Sequence, residues 1–271
     1  TGRGVPKDIA KAMSYYRQAA ELGNPVALYN LGRSYYTGTN GLPLDWSAAR
    51  KYLDHSSGEG LVAAQHLLGQ LNLDQNQASN AVVWFSRAAE HGFVPSMCSL
   101  ASLYHYGRGA PVDLSRAIQW YRRAADSDFV PAQYQLGVIY DSGSSVQNPV
   151  MAETYLRKAA EHGHRESQYL LGQYYYRGRV IKTDMAEAYR WWTLSEMSGL
   201  EVASGARRQL MRIIAPIDLD RGRSLVNDFR PIVSTFRDDG VAAVQSDKEQ
   251  ADQVKVVDVS QLLLESIKPR V

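Results

Sequence analysis

"AIQWYRRAADSDFVPAQYQLGVIY", residues 117–140, decides the fold. In its first half Ala117, Tyr121 and Ala124 or Ala125 fall at i, i+4 and i+7 or i+8, which is one face of an α-helix. In its second half Ala132, Leu136 and Tyr140 repeat that spacing for another helix. Alanine and glycine at matched positions let two helices approach closely, while larger residues fill the gaps between them. The stretch reads as a pair of short helices.

The pair recurs along the chain, and a recurrence of this period decides the architecture. "AAELGNPVALYNLG" (19–32), "SSGEGLVAAQHLLG" (56–69), "AAEHGFVPSMCSLA" (88–101), "AADSDFVPAQYQLG" (124–137) and "AAEHGHRESQYLLG" (159–172) align, with starts 37, 32, 36 and 35 residues apart. Ahead of each stands an alanine with a large residue three and four places on: "AMSYY", "ARKYL", "AVVWF", "AIQWY", "AETYL". "AYRWW", from Ala188, leads a more degenerate copy that ends near Gly199. Between the helices of a pair lies loop chemistry, as in "YGRGAPVD", residues 106–113. Asp8, Asp45, Asp113 and Asp184 each precede a helical pattern, where a carboxylate caps free N–H groups. The shortest unit has lost its glycines, which predicts a tighter turn at 74–78.

The same loop chemistry opens the chain as "TGRGVPKD", residues 1–8. Helix 8–22 is therefore expected to be the second half of a repeat whose first helix lies upstream, the alternative being a single capping helix that opens the domain. Its apolar residues, Ile9, Met13 and Tyr16, should then face solvent or a neighbour, and self-association through this incomplete repeat is expected.

Composition narrows the function classes. The 271 residues are 45% hydrophobic and 21% charged, enough for a sizeable core. A net charge of +2 is too balanced to indicate a nucleic-acid partner. The longest apolar runs fall far short of the ~18–20 residues that span a bilayer. One cysteine, Cys98, excludes an internal disulfide and any thiolate cluster; it reads as an inert packing residue on a first helix. Residues 157–237 carry 14 basic and 9 acidic side chains, read as a solvated face. Seventeen tyrosines against 5 phenylalanines is the unusual ratio: the fold wants rings with a polar tip.

"LGRSYYTGTNGLPLDWSAARKYL" and "LASLYHYGRGAPVDLSRAIQWYRRAA" resemble Sel-one-like repeats, α/α relatives of tetratricopeptide repeats. The resemblance covers about residues 1–200 in register and is specific through repetition. Departures are Ala101 for glycine, Ser56 and Ser57 for the alanine pair, and the missing loop at 74–78. It implies an all-α, right-handed α/α solenoid of stacked antiparallel helix pairs. Such solenoids serve as scaffolds or adaptors between proteins, often in bacterial envelopes, host-directed factors and quality-control complexes.

In relatives of this fold the positions two before the core leucine, and two and five after it, face the concave groove. Here they give Tyr29, Arg33 and Tyr36; His66, Gln70 and Leu73; Cys98, Ser102 and His105; Tyr134, Val138 and Asp141; Tyr169, Gln173 and Tyr176. Tyrosine buries much area with few torsions and keeps a hydroxyl for a partner's backbone, which suits an interface. The bland reading is that these rings only pack between adjacent helices. Leu31, Tyr35, Tyr104, Leu136, Tyr140 and Tyr175 belong to the core.

The domain plan is repeats over 1–199, terminal capping helices over 200–230, and a linker with a tail over 231–271. Pro216 separates the two capping patterns, with Asp218 as the expected cap of the second. Residues 231–255 read as linker, and Val256, Val259, Leu263 and Ile267 line a short apolar stripe expected to dock on this solenoid or on a partner. No H-E-x-x-H, P-loop or G-x-S-x-G spacing occurs, and no serine stands three residues before a lysine. His162 and His164 read as exposed surface residues at a helix end, with no metal site and no cofactor expected. The expected function is a non-enzymatic module that holds a partner protein segment in the groove. The alternative is an envelope or carbohydrate binder using the tyrosine-lined groove.

Overall fold

A computed structural model describes residues 9–143, 145–234 and 236. Every regular element among them is an α-helix, and the helices follow one another in antiparallel pairs. They are α1 (Ile9–Glu21), α2 (Pro25–Thr37), α3 (Trp46–Gly58), α4 (Val62–Asp74), α5 (Ala78–Glu90), α6 (Val94–Tyr106), α7 (Leu114–Asp126), α8 (Val130–Asp141), α9 (Pro149–Glu161), α10 (Arg165–Arg177), α11 (Met185–Met197), α12 (Glu201–Leu210) and α13 (Pro216–Asp228). The all-α solenoid of helix pairs expected from the sequence is the fold observed.

Length and loops follow from local chemistry. The Asp45 carboxylate accepts from the Ser47 and Ala48 N–H groups, Asp113 from Arg116, and Asp184 from Glu187, so three of the four expected caps are in place. Asp8 lies outside the described residues. First helices α2, α6 and α10 end on Gly38, Gly107 and Gly178, each left-handed with φ of 65°, 67° and 63°. The α4–α5 connection lacks such a glycine and is only Gln75–Gln77, the tight turn the shortened unit predicts.

One contact recurs in four repeats and fixes how closely the two helices of a pair lie. A Cβ built on Gly32, Gly69, Gly137 or Gly172 would come within 2.6–2.7 Å of Leu53, Phe85, Leu156 or Trp192 on the facing second helix. All four large side chains are buried, as are Ala49, Ala81, Ala88, Ala152 and Ala159, each at 0% exposure. A second recurring contact closes the pair at its other end: Tyr35 stacks on Tyr52 with centroids 5.7 Å apart, and Tyr140 on Tyr155 at 6.0 Å.

The chain divides into two compact units between Trp120 and Tyr121, inside α7. In unit 1, α1 lies on α2: Met13 joins Ala20, Ala27, Leu28, Leu31 and Leu42 in one core cluster, with Tyr16 packed against it. The expectation that α1's apolar residues face outward therefore holds for Ile9, at 42% exposure, and fails for Met13, at 5%. α2 supplies the cover for Met13, whereas Ile9, one turn earlier on the same face, is the first residue of α1.

In unit 2, α12 and α13 both rest on α11, sharing a cluster of Ala188, Tyr189, Trp192 and Leu210 with Ile214, Leu219 and Val226. Asp218 is not the cap of α13. Pro216 is its first residue and Ala215 its N-cap, so Asp218 sits one turn in and pairs with Arg221 at 3.0 Å.

The largest departure from expectation begins at residue 229. Residues 231–234 and 236 are not free linker: they run back across the repeats of unit 2. Phe229 packs edge-on to Trp191 at 5.8 Å, the Ile232 N–H donates to the Glu161 carbonyl at 2.9 Å, the Ser234 hydroxyl donates to the Asp128 carbonyl at 2.8 Å, and Phe236 packs edge-on to Phe129 at 4.9 Å. The rest of the expected linker, and Val256, Val259, Leu263 and Ile267, lie outside the described residues.

Candidate partner-binding groove

The candidate residues sit on the first helices of the pairs, α2, α4, α6, α8 and α10. Gly32, Gly69, Gly137 and Gly172 press one side of α2, α4, α8 and α10 onto their partners, and the candidate positions, three before, one after and four after each glycine, flank that contact. The candidates divide into those locked between neighbouring repeats and those left partly open.

In unit 1 three of the nine candidates, Tyr29, His66 and Cys98, are buried. Tyr29 is 9% exposed and packs with Leu61, Leu67 and Leu68, while the Arg33 guanidinium lies 5.8 Å over its ring. The Tyr36 hydroxyl donates to Asp74 at 2.5 Å, bracing α2 against α4. Burial and the Asp74 carboxylate together hold that phenol well above the ordinary tyrosine range.

His66, 7% exposed, lies between the Phe85 and Phe93 rings at 5.3 and 5.1 Å. The Gln70 amide nitrogen, 3.2 Å from Nε2, can only donate, so Nε2 accepts and Nδ1–H donates to Ser96 Oγ at 2.8 Å. Burial pushes the His66 pKa down to about 3, and the ring is neutral at physiological pH. Cys98 is fully buried, its thiol pushed up to about 12 by the same cause, so it packs and does not react. Gln70, Leu73 and Ser102 remain half-buried, as does His105, which stacks on Tyr106 at 4.4 Å.

In unit 2 more of the set stays open. Tyr134, Val138 and Asp141 on α8, and Tyr169 and Gln173 on α10, are half-buried, and Tyr176 is 37% exposed. Tyr169, Gln173 and Tyr176 follow i, i+4, i+7 spacing and so share one face of α10. The Tyr176 ring leans on Trp192 at 5.4 Å, and Trp192 Nε1–H donates to the Tyr169 carbonyl at 3.1 Å, which fixes both. Asp141 is occupied: it accepts from the Tyr174 hydroxyl at 2.6 Å and from Arg179 at 2.5 Å. Tyr134 meets His164 at 4.6 Å.

Two residues read as surface histidines are neither exposed nor idle. The His164 side chain, 15% exposed, accepts from the Ser167 N–H as the N-cap of α10, and burial pushes its pKa down against the pull of Glu166. The His162 side chain, 7% exposed, lies 2.9 Å from Asp128 and 2.8 Å from the Ile232 carbonyl. The sequence did carry a sign of this second role. Five of the six turns between repeats have glycine in the middle at positive φ (Gly23, Gly60, Gly92, Gly163, Gly199), but the sixth has Asp128 at φ 60°.

Among the described residues no three His, Cys, Asp or Glu side chains gather as a metal site, and no helix is long and apolar enough to cross a membrane. What the candidate positions offer is ring faces, amides and hydroxyls on the first helices of the pairs.

A family model described as Sel1 repeat matches residues 1–24, 25–54, 62–93, 94–129, 130–164 and 165–200. An uncharacterized protein of Neisseria meningitidis serogroup B is 31% identical over 105 residues, 39% of this chain and 22% of that protein. The chain thus spans about a fifth of that relative's length. A Sel1 repeat protein from Oxalobacter formigenes superposes with a TM-score of 0.68 at 24% identity, over 82% of this chain and 95% of that one. A protective antigen with an SLR fold, present in uropathogenic Escherichia coli, gives 0.51 at 22% identity, over 93% of this chain and 62% of that one.

Proposed function

The chain belongs to the Sel1 repeat family, and from that premise we propose that it is a non-enzymatic scaffold holding a segment of a partner protein against the first helices of its repeats. Sel1 repeat proteins are generally scaffolds for protein–protein interaction. The observation that carries the finer reading is the face of α10 on which Tyr169, Gln173 and Tyr176 stand partly open, backed by Trp192. Aromatic rings fixed by a second layer lose little entropy on binding, and the amide between them offers both a donor and an acceptor to a peptide backbone. Arg33, Tyr36, Gln70 and His105 add polar and aromatic groups in unit 1, while buried Tyr29 and His66 support the helices that carry them.

The test is site-specific photo-crosslinking from position 173 in cells of the native host, followed by mass spectrometry, with Tyr169→Ala and Tyr176→Ala alongside. A single protein captured by the wild type, and lost from both variants at unchanged helical content, is expected. Equal capture by the variants overturns the assignment of this face. Heat of binding to isolated glycans, abolished by the same substitutions, would instead make the groove a carbohydrate site.

A further inference from the structure

Residues 229–234 and 236 of the chain lie against the turns between repeats in unit 2. We propose that this turn edge is a seat for an extended peptide segment, which residues 229–234 and 236 fill in cis as a displaceable latch.

The seat has recognisable parts. At one end Trp191 receives Phe229 edge-on at 5.8 Å, with the Arg190 guanidinium 5.5 Å from the same ring. Past it the chain runs beside Gly163, where an added Cβ would lie in ordinary van der Waals contact with Pro231 at 3.9 Å. The centre is a clamp on one residue: the Ile232 N–H donates to the Glu161 carbonyl at 2.9 Å, and the Ile232 carbonyl lies 2.8 Å from His162 Nδ1. At the far end the Asp128 carbonyl accepts from Ser234 at 2.8 Å, and Phe129 receives Phe236 at 4.9 Å. Ile232, Ser234 and Phe236 alternate toward the seat, and Val233 between them is 87% exposed, as an extended segment requires.

Asp128 is the part that marks this as a built site. A non-glycine residue in the left-handed region carries strain, and the other turns avoid it with glycine. Here the strained backbone places a carboxylate 2.9 Å from His162 Nε2, and the Gln133 amide steadies that carboxylate at 3.0 Å. Each ring nitrogen of His162 thus faces an acceptor oxygen, Nε2 the Asp128 carboxylate and Nδ1 the Ile232 carbonyl. The two features are coupled across the seat, one from each of two successive turns.

The latch itself is light. Val233 makes no contribution and Ile232 is 52% exposed. Among the described residues the segment is held by the three named polar contacts, by Phe236 on Phe129, and by Phe229, which packs on Trp191 in the cluster of Ala160, Leu171 and Leu194 with Arg190 beside it. A segment held by so little persists because it is tethered, and a tether supplies an effective concentration in the millimolar range. The partner that fits is an extended protein segment with an aromatic residue, an aliphatic three places on, a small hydroxyl two further, and a second aromatic two beyond.

The probe is a fluorescent peptide with the sequence of residues 227–238, titrated by anisotropy into the full chain. In the wild type the latch competes. In the Phe229→Ala/Phe236→Ala double variant the seat is intact and its occupant is loosened, so affinity should rise at least tenfold, and His162→Ala added to that variant should remove it. A folded double variant, with fast amide exchange at Ile232 and no peptide binding, overturns the proposal. Should the double variant lose its helices, the wild type decides the matter alone: millimolar peptide must speed amide exchange at Ile232, and unchanged exchange overturns the latch.

Discussion

Replacing Gly69 by alanine and Gly205 by alanine makes the same chemical change in two helices, and the structure demands opposite signs. Gly69 is buried in α4, and a Cβ there would lie 2.6, 2.7 and 2.9 Å from Cε1, Cδ1 and Cζ of Phe85. That ring is 1% exposed and also packs on His66, so it cannot swing clear without moving a second buried group. Overpacking of this kind costs about 1–3 kcal/mol, against about 1 kcal/mol gained from the better helix former. The net expectation is destabilisation of about 1 kcal/mol. Gly205 in α12 has nothing within 4 Å of an added Cβ, so its alanine variant keeps the whole propensity gain. It should be more stable by about 0.5–1 kcal/mol. Urea denaturation followed by circular dichroism reads both, and residue-resolved amide exchange shows whether the loss at position 69 is confined to α4 and α5, as expected for a stack in which each repeat touches its neighbours. A Gly69→Ala chain as stable as the wild type would refute the claim that this glycine sets the approach of the two helices.

Acid should destabilise unit 1 through His66. Its pKa is about 3 when buried and about 6.5 in the unfolded chain, so the unfolded state takes up the proton first, and stability falls as pH drops below about 6.5. The loss between pH 7 and pH 5 should be about 2 kcal/mol, and His66→Gln should flatten that slope in urea titrations; an equally steep slope in the variant would assign it elsewhere. Ala160→Leu inserts three carbons at a site with 0% exposure in the cluster of Leu171, Trp191 and Leu194, and should lower stability by about 1–3 kcal/mol in the same assay. Removing residues 240–271, which carry Val256, Val259, Leu263 and Ile267, should change affinity for the partner and leave the midpoint of the helical melt in place; unchanged affinity would leave that stripe without a docking role.

The repeat, three of its aspartate caps and the tight turn at 75–77 were legible in the sequence, because each depends on groups within a few residues of one another. Asp45, Asp113 and Asp184 cap helices that begin beside them, and the small residues recur at a spacing that only a helix face explains. The groove positions were legible as places but not as environments. Tyr29 and His66 occupy the same helical position as Tyr134 and Tyr169, yet the first two are buried and the second two half-open, since the neighbouring repeat decides how much of each ring is covered. The latch was not legible from spacing at all. Its bonds join residues 70 and 106 positions apart, between His162 and Ile232 and between Asp128 and Ser234, and no local sequence pattern there separates a docked extended segment from a linker. Periodicity sets what a segment can become on its own, whereas the contacts of an extended segment are supplied by whatever surface the folded repeats bring beside it.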